Sequence, residues 1–177
     1  MLAGGEDNAR AQVPGSMGSP GAHKARKIST MSEAGGEATG GIRFWPATDV
    51  GRVRDCNEDS FLVDKKLNLY IVADGMGGHA AGEVASSMAC KTMRDHLATA
   101  RDALHEFEQG HGGTTRKDIL QLMEASVQQA CSTVHQEGIV DESKRGMGTT
   151  LDALLVIGSR GFIAHVGDSR IYLYRQG

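Results

Sequence analysis

The sequence predicts an α+β domain built on antiparallel strands, and three observations predict it. A short apolar run, Leu69-Tyr70-Ile71-Val72-Ala73, has strand length and composition and leads into a glycine-rich turn. Two amphipathic stretches follow at helical spacing. From Gly146 the pattern becomes strand-like again, with short apolar runs separated by Gly-containing turns.

At 177 residues the chain is long enough for one domain with a real core. Residues 1–41 stand apart. They are rich in Gly, Ser and Ala and hold only Leu2, Val13 and Ile28 as large aliphatics. So little apolar surface does not offset the entropy of ordering, and the expectation is a disordered tail. Met31 is a candidate alternative start, which would shorten that tail. The domain is expected over 42–177. No secretory h-region and no run of membrane-spanning length appears. A net charge of −3 and a pI near 6.1 argue against a nucleic-acid surface. Cys56, Cys90 and Cys131 are scattered without metal spacing. They read as small buried hydrophobes in a reducing, cytoplasmic chain.

Taken in order, Phe44 to Asp64 opens with a dense polar cluster. Between Asp49 and Asp59 it holds Arg52, Arg54, Asp55, Asn57 and Glu58. An extended backbone over 54–58 puts Arg54 and Glu58 on one face and Asp59 on the other. Phe61-Leu62-Val63 then forms a strand, and Lys65-Lys66-Leu67-Asn68 turns the chain into the run that ends at Asp74. A strand ending in a carboxylate, followed by Gly75, Gly77, Gly78 and Gly82, sets an anionic oxygen and free carbonyls at a sheet rim. Hard divalent cations take oxygen ligands of that kind, and glycines allow the close approach. The competing reading is a tight turn whose Asp supports a helix start. A dinucleotide loop also fits the glycine spacing loosely. Asp74 would oppose the pyrophosphate, however, and Asp95 falls in a helical pattern, not at a strand end.

From Glu83, Val84/Ala85, Met88/Ala89, Met93 and Leu97 mark a buried stripe, with Ser86, Lys91, Arg94 and Asp95 opposite. Arg101 to Lys117 reads as a polar connection. A second helix begins at Asp118 as N-cap, buries Ile119, Met123, Val127, Ala130 and Val134, and stops near Gly138. Leu151–Ile157, Phe162–Val166 and Ile171–Arg175 then form a three-stranded meander joined by Gly158–Gly161 and Gly167–Arg170. Asp168 is a second carboxylate at a strand tip, in a turn that needs no function to explain it. The histidines show no zinc spacing, and neither a Walker loop nor a nucleophile elbow is present.

These pieces in this order resemble the metal-dependent serine/threonine protein phosphatases, the PPM family of protein phosphatase 2C type, in their bacterial form. The residues that carry the resemblance are Asp49 to Asp59, Val72-Ala73-Asp74-Gly75-Met76-Gly77-Gly78, Gly148-Thr149-Thr150 and Val166-Gly167-Asp168-Ser169-Arg170. It extends from Phe44 to the last residue. The resemblance implies a sandwich of two antiparallel sheets flanked by helices, in four layers (αββα). It implies that Asp74 bridges two Mn²⁺ or Mg²⁺ ions, that Gly75 binds one through its carbonyl, and that Glu58 and Asp59 hold metal-bound waters. Arg54 would receive the substrate phosphate, and Asp168 would join a third, weaker ion site. The implied activity is hydrolysis of phosphoserine and phosphothreonine in proteins by a metal-bridging water. The implied partners are phosphorylated proteins made by a serine/threonine kinase, with a monomeric complete enzyme, no nucleic acid and no membrane.

Two departures from the family pattern stand out. Met76 occupies the place of a histidine proposed as proton donor in relatives from higher organisms, leaving His79 as a candidate substitute. The sequence also stops a little past the middle of the family domain, before two further aspartates that complete the metal pair. The expectation is therefore a fragment, inactive as written. The alternatives are a non-catalytic metal- or partner-binding remnant and, further off, a dinucleotide-binding module.

Overall fold

The computed structural model describes residues 36–37, 41–77 and 80–176. Two short strands, β1 (Gly36–Glu37) and β2 (Arg43–Phe44), pair antiparallel at its start. Gly36 and Glu37 lie in the segment expected to be disordered, and this pairing corrects the expectation for those two residues. The rest of that segment lies outside the described residues. β3 (Asp59–Asp64) and β4 (Leu69–Met76) form a hairpin. Asn68 adopts φ +52° in its turn. Three helices follow: α1 (Ala80–Thr99), α2 (Arg101–Gln109) and α3 (Arg116–Val140). The chain then returns through β5 (Gly148–Thr149), β6 (Leu151–Ile157) and β7 (Arg160–Val166).

The main sheet runs β3-β4-β6-β7, all antiparallel, with β5 paired to the end of β4. Alternation along the strands gives it two unlike faces. Leu69, Ile71 and Ala73 of β4, with Ala153 and Leu155 of β6, point inward against Ala85, Ala89, Met93 and Leu97 of α1 and Ile119 and Met123 of α3. Full burial of a large aliphatic in this layer contributes about 1.5–3 kcal/mol. The other face carries Phe61, Val63, Tyr70, Val72, Leu154 and Ile163 beside Phe44 and Trp45. No described helix covers it, and Val72 and Ile163 stay half exposed. The described residues thus supply one sheet and one helical layer of an α+β fold.

Several expectations are corrected. Strand β4 does not stop at Asp74 but continues to Met76, because Gly148 and Thr149 supply it with a further partner. The supposed polar connection 101–117 contains α2, which buries Leu104 and Phe107; Phe107 meets Phe162 edge-on at 5.7 Å. α3 starts earlier than expected. Thr115 is its N-cap, and Asp118 sits at the third helical position in a reciprocal capping box. α3 also passes through Gly138 to Val140. Ser86, assigned to the polar side of α1, is fully buried. The third meander strand does not form: residues 171–176 are in no sheet, and Tyr172, Leu173 and Tyr174 are exposed. Among the cysteines, Cys90 is buried, its thiol pushed up to about 12 by that burial, but Cys131 is exposed.

Candidate metal centre

The hairpin register brings the predicted acids together. Asp59 at the start of β3 lies directly opposite Asp74 near the end of β4, so both carboxylates rise from the same sheet face. This corrects the placement of Asp59 relative to the strand, because 51–53 are turn, 55–56 are bend and no residue of 51–58 is in a strand. Arg54 and Glu58 nevertheless stay together, with Arg54 Nη1 3.8 Å from Glu58 Oε2. The Asp59 carboxyl is held above the usual carboxylate range by burial first, then by the charge of Asp74 and a hydrogen bond with it. Arg54 pulls in the opposite direction. Two carboxylates facing each other across a ladder repel, and a proton or a cation between them relieves the repulsion. They open into a cleft of about 260 Å³ that Thr48 and Ser169 also line.

The main chain around Asp74 is fixed on both sides. Its N–H donates to Thr150 Oγ1 at 2.9 Å. Its carbonyl accepts from the Thr150 N–H at 2.9 Å and from Thr149 Oγ1 at 3.0 Å. Thr150 Oγ1 lies 2.8 Å from Ser169 Oγ, which ties the 167–169 turn to the same point. Gly167 makes that turn at φ +105°, where a Cβ would meet Thr150 Cγ2 at 2.7 Å. After this point residues 171–176 join no sheet, and Ile171 lies against the open sheet face. The Asp168 side chain itself is exposed; only its neighbour Ser169 is brought to the cleft.

Gly75 and Gly82 form a cradle around Glu58. The Gly75 N–H donates to the Glu58 carbonyl at 3.1 Å. A Cβ on Gly75 would lie 2.1 Å from the Gly82 carbonyl oxygen, and one on Gly82 would lie 2.4 Å from Glu58 Oε1. Only glycine fits either place. Glu58 Oε1 is buried here with no hydrogen-bond partner. A buried, unpartnered carboxylate oxygen is costly, and a water or cation would satisfy it.

This donor set suits hard cations: two opposed carboxylates, a fixed glycine peptide and an orphaned glutamate oxygen. It is not a closed site. Among the described residues, no three acidic, histidine or cysteine side chains converge as a metal cluster. Met76 is exposed beside the acids, and a thioether moves no proton. His79 lies outside the described residues. The threonine clamp and Ser86 were missed as site-forming residues. Ser86 had a legible signal, since Gly82, Ser86, Ala89, Met93 and Leu97 follow the helical period.

Comparisons with known proteins point to one family. A family model described as Protein phosphatase 2C matches residues 51–177. The serine/threonine protein phosphatase PstP of Mycobacterium tuberculosis is 38% identical over 136 residues, covering 77% of this chain and 23% of that protein. Protein phosphatase PhpP of Streptococcus pneumoniae is 39% identical over 134 residues, covering 72% of this chain and 48% of that one. A crystal structure of the M. tuberculosis phosphatase superposes with a TM-score of 0.53 at 38% identity, over 68% of this chain and 44% of that one. The chain therefore spans from about a quarter to about half the length of these relatives.

Proposed function

Because this chain belongs to the protein phosphatase 2C family, we propose that it carries the phosphate-receiving and cation-holding part of an enzyme that hydrolyses phosphoserine and phosphothreonine in proteins. The observation that carries this reading is the face-to-face pair Asp59 and Asp74, with Arg54 at its edge. Asp74 and the Gly75 carbonyl would hold Mn²⁺ or Mg²⁺, and Glu58 and Asp59 would hold the waters around them. When bound, the ions supply Lewis acidity, which acidifies water and neutralises charge gathering on phosphoryl oxygens.

The chain's own residues do the rest. Arg54 offers a planar fork of donors to two phosphate oxygens, and its partial exposure leaves it free to swing from Glu58 to substrate. Glu58, seated on Gly82, accepts hydrogen bonds from water at a fixed place. Positive charge entering the cleft relieves the repulsion between Asp59 and Asp74. The clamp of Thr149 and Thr150 keeps Asp74 aimed without reorganisation. Asp168, one residue from the tethered Ser169, would add a weaker third ligand site. With only two opposed carboxylates, this chain by itself turns over slowly. The opposing kinase, a monomeric state and a cytoplasmic location belong to the same proposal.

The test is Mn²⁺-dependent release of phosphate from a phosphothreonine peptide. It is run on this chain and on a chimera that continues it with the remaining domain of the tuberculosis relative. The chimera turns over and the short chain lags. Asp74→Asn lowers chimera activity by on the order of a hundredfold or more. Arg54→Ala raises KM about ten- to a hundredfold with a smaller change in kcat. A chimera that binds Mn²⁺ yet leaves the peptide intact sinks the reading.

A further inference from the structure

We propose that Ser86 is a positioning residue for the cation site: its buried hydroxyl fixes the Glu58 carbonyl, and through it the peptide of Gly75. The inference rests on the phosphatase reading and names a residue outside the acid cluster that the reading uses.

Packing alone does not call for a hydroxyl at this position. Ser86 sits on the buried stripe of α1 among Ala81, Ala85, Ala89 and Cys90, with no exposed surface. Alanine fills three of those four neighbouring positions, so a buried O–H here needs a polar reason. The reason is visible in its partners. Ser86 Oγ donates to the Glu58 carbonyl at 2.7 Å and lies 2.9 Å from Ser60 Oγ. Its contact to the Glu83 carbonyl one turn back is longer, at 3.2 Å. The Glu58 carbonyl also accepts the Gly75 N–H. One oxygen thus joins α1, the loop before β3, and the end of β4.

The side chains obey the same junction. Glu58 Oε1 rests on Gly82, one turn before Ser86 on α1, and Gly75 rests on the Gly82 carbonyl. Sliding α1 by a fraction of an ångström therefore moves the seat of the Glu58 carboxylate and the Gly75 peptide together. The Ser86 bond is what pins the helix against the loop at that level. Ser126 provides the contrast. It is equally buried, but it bonds its own helix at Leu122 and His96 of α1, touching no residue of the cleft.

The experiment uses the full chain, stripped with EDTA. Mn²⁺ affinity is titrated by electron paramagnetic resonance for wild type, Ser86→Ala, Ser126→Ala and Asp74→Asn. Thermal melts are followed by circular dichroism, and amide exchange of residues 72–77 is read by mass spectrometry. Both serine variants melt earlier than wild type. Only Ser86→Ala weakens Mn²⁺ binding, by about tenfold, and speeds exchange in the segment holding Gly75. If Ser86→Ala is too unstable to titrate, Ser60→Ala removes the donor behind Ser86 and gives a smaller shift in the same direction. Unchanged exchange, or unchanged affinity in a chain whose wild type does bind, overturns the positioning role. If wild type binds no better than Asp74→Asn, the metal reading fails on its own account. The exchange data then decide whether Ser86 holds Gly75.

Discussion

At the scale of single residues, the opposed pair Asp59 and Asp74 sets the character of the cleft. Folding raises the pKa of Asp59 above its ordinary value, mainly by burial and then by Asp74. An acid raised by folding favours the folded state fully only below its unfolded pKa, and the contribution is lost as pH rises through the folded one. At neutral pH the pair is therefore a source of instability in the cation-free chain. Asp59→Asn is expected to raise the melting temperature at pH 7, with the gain shrinking as pH falls through the folded value and gone below the unfolded one. Saturating Mn²⁺ should cancel the advantage by stabilising wild type more. Melts at several pH values with and without Mn²⁺ check this, and an Asp59→Asn chain no more stable at pH 7 would remove the repulsion from the account.

Among the elements, the helices show what a sequence conveys and what it hides. The stripe of Ile119, Met123, Ala130 and Val134 was legible because apolar residues repeat on one side of α3. α2 was not, since only Leu104 and Phe107 emerge from a charged background, and two residues do not establish a period. Among the site residues, Asp59, Asp74, Glu58 and Gly75 were legible through the order of the motifs. Ser86 and Thr150 act through hydrogen bonds to backbone, which leave no composition signal. The strand expected over 171–175 has strand residues but no described strand pairs with it, and the nearby tether from Ser169 to Thr150 is a long-range contact no local pattern reports. At the α3 start, Thr115 Oγ1 accepts from the Asp118 N–H while Asp118 accepts from Thr115, which lowers the Asp118 pKa. That support is present above the unfolded pKa and lost as pH falls through the lowered folded value. Thr115→Ala should cost about 1 kcal/mol in urea denaturation at pH 7. A loss well under half of that makes the box an ornament of the helix end.

For the whole molecule, the dominant fact is the contrast between the sheet's two faces. The helical side is closed. The other presents Phe61, Val72 and Leu154 around a cavity of about 240 Å³ that Trp45 and Ile171 also line, with Ile163 beside Leu154. Apolar area of this kind on a sheet, beside the open edge of β7, favours association. Ile163, paired with Leu154 on the outer strand β7, is half exposed. Ile163→Lys should raise the concentration at which the chain self-associates, with little effect on stability. Sedimentation velocity over a concentration series reads this. Identical association by the variant would show that copies meet elsewhere.

The β3–β4 hairpin has a further consequence, for the order of folding. Its two strands are separated by a four-residue turn, whereas β4 reaches β6 only after three helices have been traversed. Short loops close sooner than long ones, so the hairpin forms well before the sheet is complete. Asp59 and Asp74 meet in that early structure, and their repulsion falls on the way up the barrier. A cation that relieves it acts on the climb as well as on the native state. Millimolar Mn²⁺ should therefore accelerate refolding in stopped-flow mixing more than it slows unfolding, and Asp74→Asn should abolish the acceleration. Should Mn²⁺ act on the unfolding limb alone, the acids meet only after the barrier has been crossed.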